Sequence, residues 1–262
     1  NIPTYQHTNI PTYQHTNMNN YHNMIATIRK EEKLLAILLD PDKFPFSTLG
    51  TTMEIDIAFA KAYLKKIPQQ TTHLFIGGST DAYGKTNDVV RILKSLTKLP
   101  IILFPGDHTQ VTPAADGILF LSLLSGRNPD YLIGQQVQVA LTLKEMELEI
   151  IPTGYLLIDG QTETAVQRIS GTTPMPQEDV QNIVATALAG QFLGKKMIYL
   201  EAGSGAKVPV SPTIIKAVKE VLDIPLIVGG GIKSAAQQQT AYQAGADMVV
   251  VGTAFEEDCW SH

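Results

Sequence analysis

Three residues able to do chemistry stand just after apolar runs in this 262-residue chain: Asp40 after Leu34–Leu39, Ser79 after a run ending Ile76-Gly77-Gly78, and Glu201 after Lys196–Leu200. Asp40, with Asp42 and a hydroxyl from Ser79 or Thr80, offers hard oxygen donors and neither imidazole nor thiolate. Such a set suits magnesium, which takes few protein ligands and keeps waters and substrate oxygens, better than zinc. An Asp-Pro-Asp run is equally the content of a helix-capping loop, so both readings stand. Glu201 precedes Ala202-Gly203-Ser204-Gly205, where a carboxylate can take up a proton or bond a substrate hydroxyl beside a glycine nest. A rim salt bridge is its plainer alternative. His73 begins an apolar run and reads as structural, while His108, in an irregular segment, receives no role.

Two further apolar runs, Leu226–Val228 and Met248–Val251, end in Gly229-Gly230-Gly231 and Gly252. Without Cβ atoms, such turns let backbone N–H groups approach an anion lying on a helix N-terminus. One turn of this kind is as well explained by tight strand-to-helix geometry. Two on consecutive strands match the phosphate site after strands 7 and 8 of a (β/α)8 barrel. Gly-Gly-Gly-Ile-Lys-Ser lacks the last glycine of the dinucleotide fingerprint, which argues against a dinucleotide ligand.

The elements that must position these groups alternate. Apolar runs without polar alternation, as in strands buried on both faces, are expected at 34–39, 73–76, 101–104, 117–121, within 147–158, and at 196–200, 226–228 and 248–251. Pro152 and Gly154 are expected to interrupt the fifth. Helical spacing is read at 24–33, 46–66, 86–96, 130–143, 177–193, 211–222 and in the run through Tyr242. The connection 105–116 holds Pro105, Gly106 and Pro113 and should lack a normal helix. A Thr-rich stretch from Asp159 to Pro176, containing Arg168 and Gly171, reads as an active-site flap. Eight β-then-α units predict one α/β domain, a (β/α)8 TIM-type barrel with an irregular or missing helix after strand three. The candidate residues then fall on the barrel's C-terminal face, where its chemistry belongs.

Residues 1–16 repeat Asn-Ile-Pro-Thr-Tyr-Gln-His-Thr, so 1–17 read as a disordered extension or vector remnant and 18–262 as the barrel. A net charge of −5 without a basic cluster argues against nucleic acid. The single cysteine, Cys259, excludes a disulfide framework or thiolate metal site and fits a cytoplasmic protein. No run is long enough for a membrane span, although transient contact with a membrane surface and a lipid substrate stay open.

Leu-Leu-Asp-Pro-Asp-Lys (38–43), Gly-Gly-Ser-Thr (77–80), Phe-Pro-Gly-Asp (104–107), Tyr-Leu-Glu-Ala-Gly-Ser-Gly-Ala (199–206), Val-Gly-Gly-Gly-Ile (228–232) and Val-Gly-Thr-Ala (251–254) together resemble the geranylgeranylglyceryl phosphate synthase and PcrB family. The resemblance spans Leu34 to Glu257. It implies a magnesium-dependent prenyltransferase in which the 3-hydroxyl of sn-glycerol 1-phosphate attacks C1 of a polyprenyl diphosphate. By resemblance, Asp40 and Ser79 hold Mg2+. The run Tyr199, Leu200, Glu201, Ala202, Gly203, Ser204 and Gly205 meets glycerol phosphate, with Tyr199 and Glu201 on its hydroxyls and Glu201 as proton acceptor. Gly230, Gly231, Gly252 and Thr253 complete the phosphate pocket, and the prenyl chain runs beside the helix-poor connection after strand three. PcrB-like members carry lysine two residues before the metal aspartate; Leu38 stands there and points to the family's second branch of synthases. A homo-oligomer is expected. Two rivals remain: a sugar-phosphate-type isomerase using Asp40 with Asp159 at the end of strand five, and a non-catalytic phosphate-ligand sensor.

Overall fold

The computed structural model of the protein describes residues 24–30, 33–49, 52–78, 81, 84–256 and 259–260; the N-terminal repeat, Ser79 and Thr80 lie outside the described residues. In chain order the strands are β1 (Leu34–Leu39), β2 (Phe46–Leu49), β3 (Thr52–Ile55), β4 (His73–Ile76), β5 (Ile101–Leu103), β6 (Gly117–Leu123), β7 (Glu149–Leu157), β8 (Met197–Glu201), β9 (Leu226–Gly229) and β10 (Met248–Val251). All but β2 and β3 are parallel and close into a barrel, β1-β10-β9-β8-β7-β6-β5-β4, with β4 returning to β1. Successive side chains of a strand point to opposite faces. One set therefore fills the barrel (Ala36, Phe75, Ile102, Tyr199, Ile227) and the other packs outward beneath the helices (Ile37, Leu74, Ile101, Leu200, Val228).

The outer layer is formed by α2 (Ile57–Lys66), α3 (Thr86–Leu96), α4 (Gln135–Lys144, entered by a π-helical turn at Asp130–Gly134), α6 (Val180–Phe192), α7 (Pro212–Val221) and α8 (Ala235–Gln243). α1 (Met24–Lys30) sends Met24 and Ile28 into the barrel interior, and its Met24 N–H donates to Glu149 at 2.8 Å. Two short helices, α5 (Ala165–Ser170) and α9 (Thr253–Glu256), lie on the catalytic face. Between β5 and β6 the described backbone forms turns and no helix, as its prolines and glycine require.

The structure corrects two expectations. Residues 46–66 are not one helix: β2 and β3 form an antiparallel hairpin, and α2 starts only at Ile57, where the Asp56 carboxylate accepts from Ala58 and Phe59 N–H. The Thr-rich run around Gly50 has strand propensity that apolar spacing alone conceals. β7 is unbroken through Pro152 and Gly154. Pro152 turns its carbonyl toward β8, accepting from Lys196 N–H at 2.7 Å. Its missing N–H points the same way, where β8 has not begun, so no ladder bond is lost. Gly154 faces Gly190 of α6, with Leu124 and Ile198 filling the space a Cβ at either would need. The 159–176 stretch, read as a flap, contains α5, and Met175 bridges back to Ile158.

One device recurs at the non-catalytic rim. Asp116 accepts from the first N–H of β5 (Ile101, 2.7 Å) and from Lys94 Nζ at the end of α3 (2.7 Å). Asp247 does the same for Leu226 of β9 (2.7 Å) and Lys219 of α7 (2.6 Å). Each carboxylate ties a helix end and two strands together. Asp247→Ala, which leaves a strand N–H and a half-buried ammonium without their acceptor, should cost about 1.5–3 kcal/mol in urea unfolding. The C-terminal face is untouched.

Candidate active site

At the last residue of β8 the backbone turns Glu201 into the barrel mouth. The carboxylate is 6 % exposed, accepts from Gly203 N–H at 2.7 Å, and rests in a cradle of glycines. A Cβ on Gly230 would stand 2.3 Å from Glu201 Oε1, and Gly230 holds φ +81, a conformation that itself favours glycine. A Cβ on Gly229 would strike both the Tyr199 hydroxyl (2.5 Å) and Glu201 Oε2 (2.7 Å). The floor below is aromatic: Phe104 stacks on Tyr199 with centroids 5.4 Å apart, and Tyr155 meets Tyr199 edge-on at 5.4 Å.

Removal from water pushes the Glu201 carboxyl up to about 7, against the opposing pull of the Tyr199 hydroxyl and the Gly203 N–H. Burial, with the nearby Glu201 charge, also raises Tyr199 and Tyr155 well above the usual phenol value, so both stay protonated. The Tyr199 hydroxyl lies beside the carboxylate without completing a regular hydrogen bond, and is buried with no partner. A carboxylate poised near neutrality above an unsatisfied phenol is suited to receive a hydroxyl-bearing ligand and take its proton.

A cavity of about 500 Å3 opens above this floor. One end is lined by Gly203–Gly205, Gly230, Gly231, Gly252 and Thr253, the glycine loops read from the sequence. The Ser204 and Thr253 hydroxyls join the loops after β8 and β10 at 2.9 Å. Leu200 and Ala202, expected at the ligand, do not line the cavity. Strand alternation aims Tyr199 and Glu201 inward and Leu200 outward into the helix layer, and the Ala202 N–H is occupied by the Gly229 carbonyl at 3.0 Å.

Asp40 lines the same cavity, and Asp42 does not. Asp40 caps the 3-10 turn Pro41–Lys43 through Asp42 N–H at 3.0 Å, so the capping reading holds alongside any other. Gly78 keeps space open against the carboxyl group, for a Cβ there would come within 3.1 Å of Asp40 Oδ1. Among the described residues no three His, Cys, Asp or Glu side chains converge on a point. A cation at Asp40 would draw most of its ligands from water and substrate oxygens, the habit of magnesium.

The cavity's other arm is apolar. Leu119 and Leu121 line it from within the barrel, and Ile118, Phe120, Val111 and Val139 from outside. This crossing of the rim exists because no helix covers β5 and β6 there. α5 forms one wall with Val166, Arg168 and Ile169. It is fixed at one end by Thr164, which packs on Gly203, and at the other by Asn128 Nδ2 on the Ser170 carbonyl (3.0 Å). Reading strand five as broken hid Tyr155, which an unbroken alternation places opposite Tyr199. His108 lines the cavity with Nδ1 2.8 Å from Gln135 Oε1, whereas His73 is buried at the far end beside Thr72. Asp159 is exposed outside the cavity, its carboxylate accepting from Gln161 N–H, so no second carboxylate from strand five faces Asp40.

Fold and pocket place the protein among (β/α)8 barrels whose mouth holds a glycine-lined pocket with an adjoining apolar groove. The PcrB family model matches residues 26–261, and the chain belongs to that family. It is 50 % identical over 233 residues to the geranylgeranylglyceryl phosphate synthase of Zunongwangia profunda, covering 89 % of this chain and 95 % of that one. It is also 50 % identical over 238 residues to the synthase of Flavobacterium johnsoniae, covering 90 % and 94 %. Among solved structures, (S)-3-O-geranylgeranylglyceryl phosphate synthase of Thermoplasma acidophilum, in complex with substrate sn-glycerol-1-phosphate, superposes with a TM-score of 0.77 at 31 % identity, covering 90 % and 92 %.

Because the Tyr199 hydroxyl is buried without a partner, Tyr199→Phe should leave the ligand-free protein as stable as wild type or stabilise it by up to about 1 kcal/mol. Chemical unfolding checks this; a loss above that size would mean that the phenol bonds Glu201 in the free protein.

Proposed function

We propose that this protein transfers a geranylgeranyl or similar polyprenyl group from its diphosphate to the 3-hydroxyl of sn-glycerol 1-phosphate, making a prenylglyceryl phosphate, the precursor of an ether lipid. The observation that carries the reading is the buried carboxylate beside glycine loops, at the junction of a glycine-lined pocket and an apolar groove.

In this scheme the loops at Gly203–Gly205, Gly230, Gly231, Gly252 and Thr253 hold the glycerol phosphate by its phosphate. Tyr199 donates to one glycerol hydroxyl and satisfies its own buried O–H. The 3-hydroxyl oxygen bonds to C1 of the prenyl diphosphate, the C1–O bond to diphosphate breaks, and the hydroxyl proton passes to Glu201. The prenyl tail lies over Leu119 and Leu121 and crosses the rim to Ile118, Phe120 and Val139, with α5 shielding the reacting carbon from water. A magnesium ion held by Asp40, with Ser79 as the second expected ligand, would neutralise charge on the departing diphosphate. Lys43 and Arg168, both at the cavity, add positive charge to the same end.

The decisive assay incubates the protein with magnesium, geranylgeranyl diphosphate and either enantiomer of glycerol phosphate. Ether product is expected from the sn-1 form; absence of product with prenyl diphosphates of any length would overturn the assignment. Glu201→Gln, nearly the same shape without the base, should lower kcat by about 10²–10⁴. Asp40→Ala should abolish most turnover while glycerol phosphate binding survives, and unchanged turnover in either variant would remove its assigned role.

A further inference from the structure

Among the described residues two Asp, Glu, Lys or Arg side chains are buried: Glu201, and Lys85 at 5 % exposure. Burying an ammonium costs free energy unless its hydrogen bonds are replaced, so its surroundings matter. Lys85 stands at the start of α3, on the catalytic side of the barrel. Its Nζ donates to the Phe44 carbonyl at 2.8 Å and reaches the Asp42 carbonyl at 3.4 Å. Both carbonyls belong to the turn that begins at Asp40. The lysine is itself held: Asp81 accepts from the Lys85 N–H (2.7 Å), the Thr86 N–H (3.0 Å) and the Thr86 hydroxyl (2.7 Å). On the turn's far side Phe44 is buried against Phe59 and Tyr63, with centroids 5.3 and 6.4 Å away. The turn is thus clamped between an aromatic cluster and one buried cation, and Asp40 projects from it into the cavity beside Gly78.

We propose that Lys85 is the positioning residue of the Asp40 cation site: it pins the carbonyls of Asp42 and Phe44, sets the direction of the Asp40 carboxylate, and places a fixed positive charge behind a turn rich in acidic groups. A methionine in its place would fill the volume and leave two carbonyls without their donor. The inference rests on the reading of Asp40 as a metal ligand.

The test uses the whole protein and Mn2+ as probe, following loss of the free-ion electron paramagnetic resonance signal, with sn-glycerol 1-phosphate affinity measured in parallel. Lys85→Met should weaken Mn2+ binding by about 10- to 100-fold, the usual effect of losing a group that orients a metal ligand. Glycerol phosphate affinity should stay unchanged, and Lys85→Arg should bind Mn2+ close to wild type. If Lys85→Met does not fold, Lys85→Gln replaces it with the same expectation. Wild-type Mn2+ affinity in the variant, or parallel loss of both ligands, would overturn the positioning role. Failure of the wild type to bind Mn2+ would instead remove the metal reading of Asp40, a result distinct from the first two.

Discussion

Taking the Glu201 carboxylate out of water is the constraint on which the rest of this site depends. In water the group would be ionised at neutral pH and a feeble base. Placed over Phe104, Tyr155 and Tyr199, with only the Tyr199 hydroxyl and the Gly203 N–H at 2.7 Å to oppose desolvation, it rises to about 7. The glycines around it follow from that placement. Gly229 and Gly230 leave room for the carboxyl group and the phenol, and a side chain at either would expel one of them. The same absence of Cβ atoms opens the loops to the cavity, so the seat of the carboxylate and the glycine-lined end of the pocket have one geometric cause.

The second constraint is topological. In a regular barrel a helix between β5 and β6 would cover the outward side chains of those strands. Here the connection contains prolines and turns, and Ile118 and Phe120 are left to line the cavity that opens at the mouth. The apolar arm of the pocket therefore spans both faces of one strand, since alternation along β6 supplies Leu119 and Leu121 inward and Ile118 and Phe120 outward. α5, anchored on the Gly203 loop, closes the side.

Much of this was legible in the amino-acid sequence because strands buried on both faces give unbroken apolar runs, and their catalytic ends are marked by glycine or acid. The barrel, the helix-free connection and the glycine loops all followed from those marks. The errors have physical reasons. The 46–55 hairpin carries apolar residues at helical spacing, and its threonines signalled strand only weakly. Pro152 is harmless where no neighbour yet pairs on its side, a fact of register that composition cannot express. Leu200 and Ala202 share a motif with residues that line the cavity, yet strand alternation turns Leu200 outward and the Ala202 N–H is used by the Gly229 carbonyl. Lys85 left no mark at all: a lysine before a helix reads as a solvated surface group until the turn it supports is in place.

The central claim is that a buried, near-neutral Glu201 receives the proton, and the pH dependence of turnover tests it most directly. An acid with a raised pKa is protonated and idle below it and ionised above it, so activity must rise with pH. Log kcat/KM, which reports the free protein, should climb with a slope near one up to about pH 7 and level off above. The residual turnover of Glu201→Gln should lack that limb. The same limb in both proteins, or no limb in the wild type, would contradict the account.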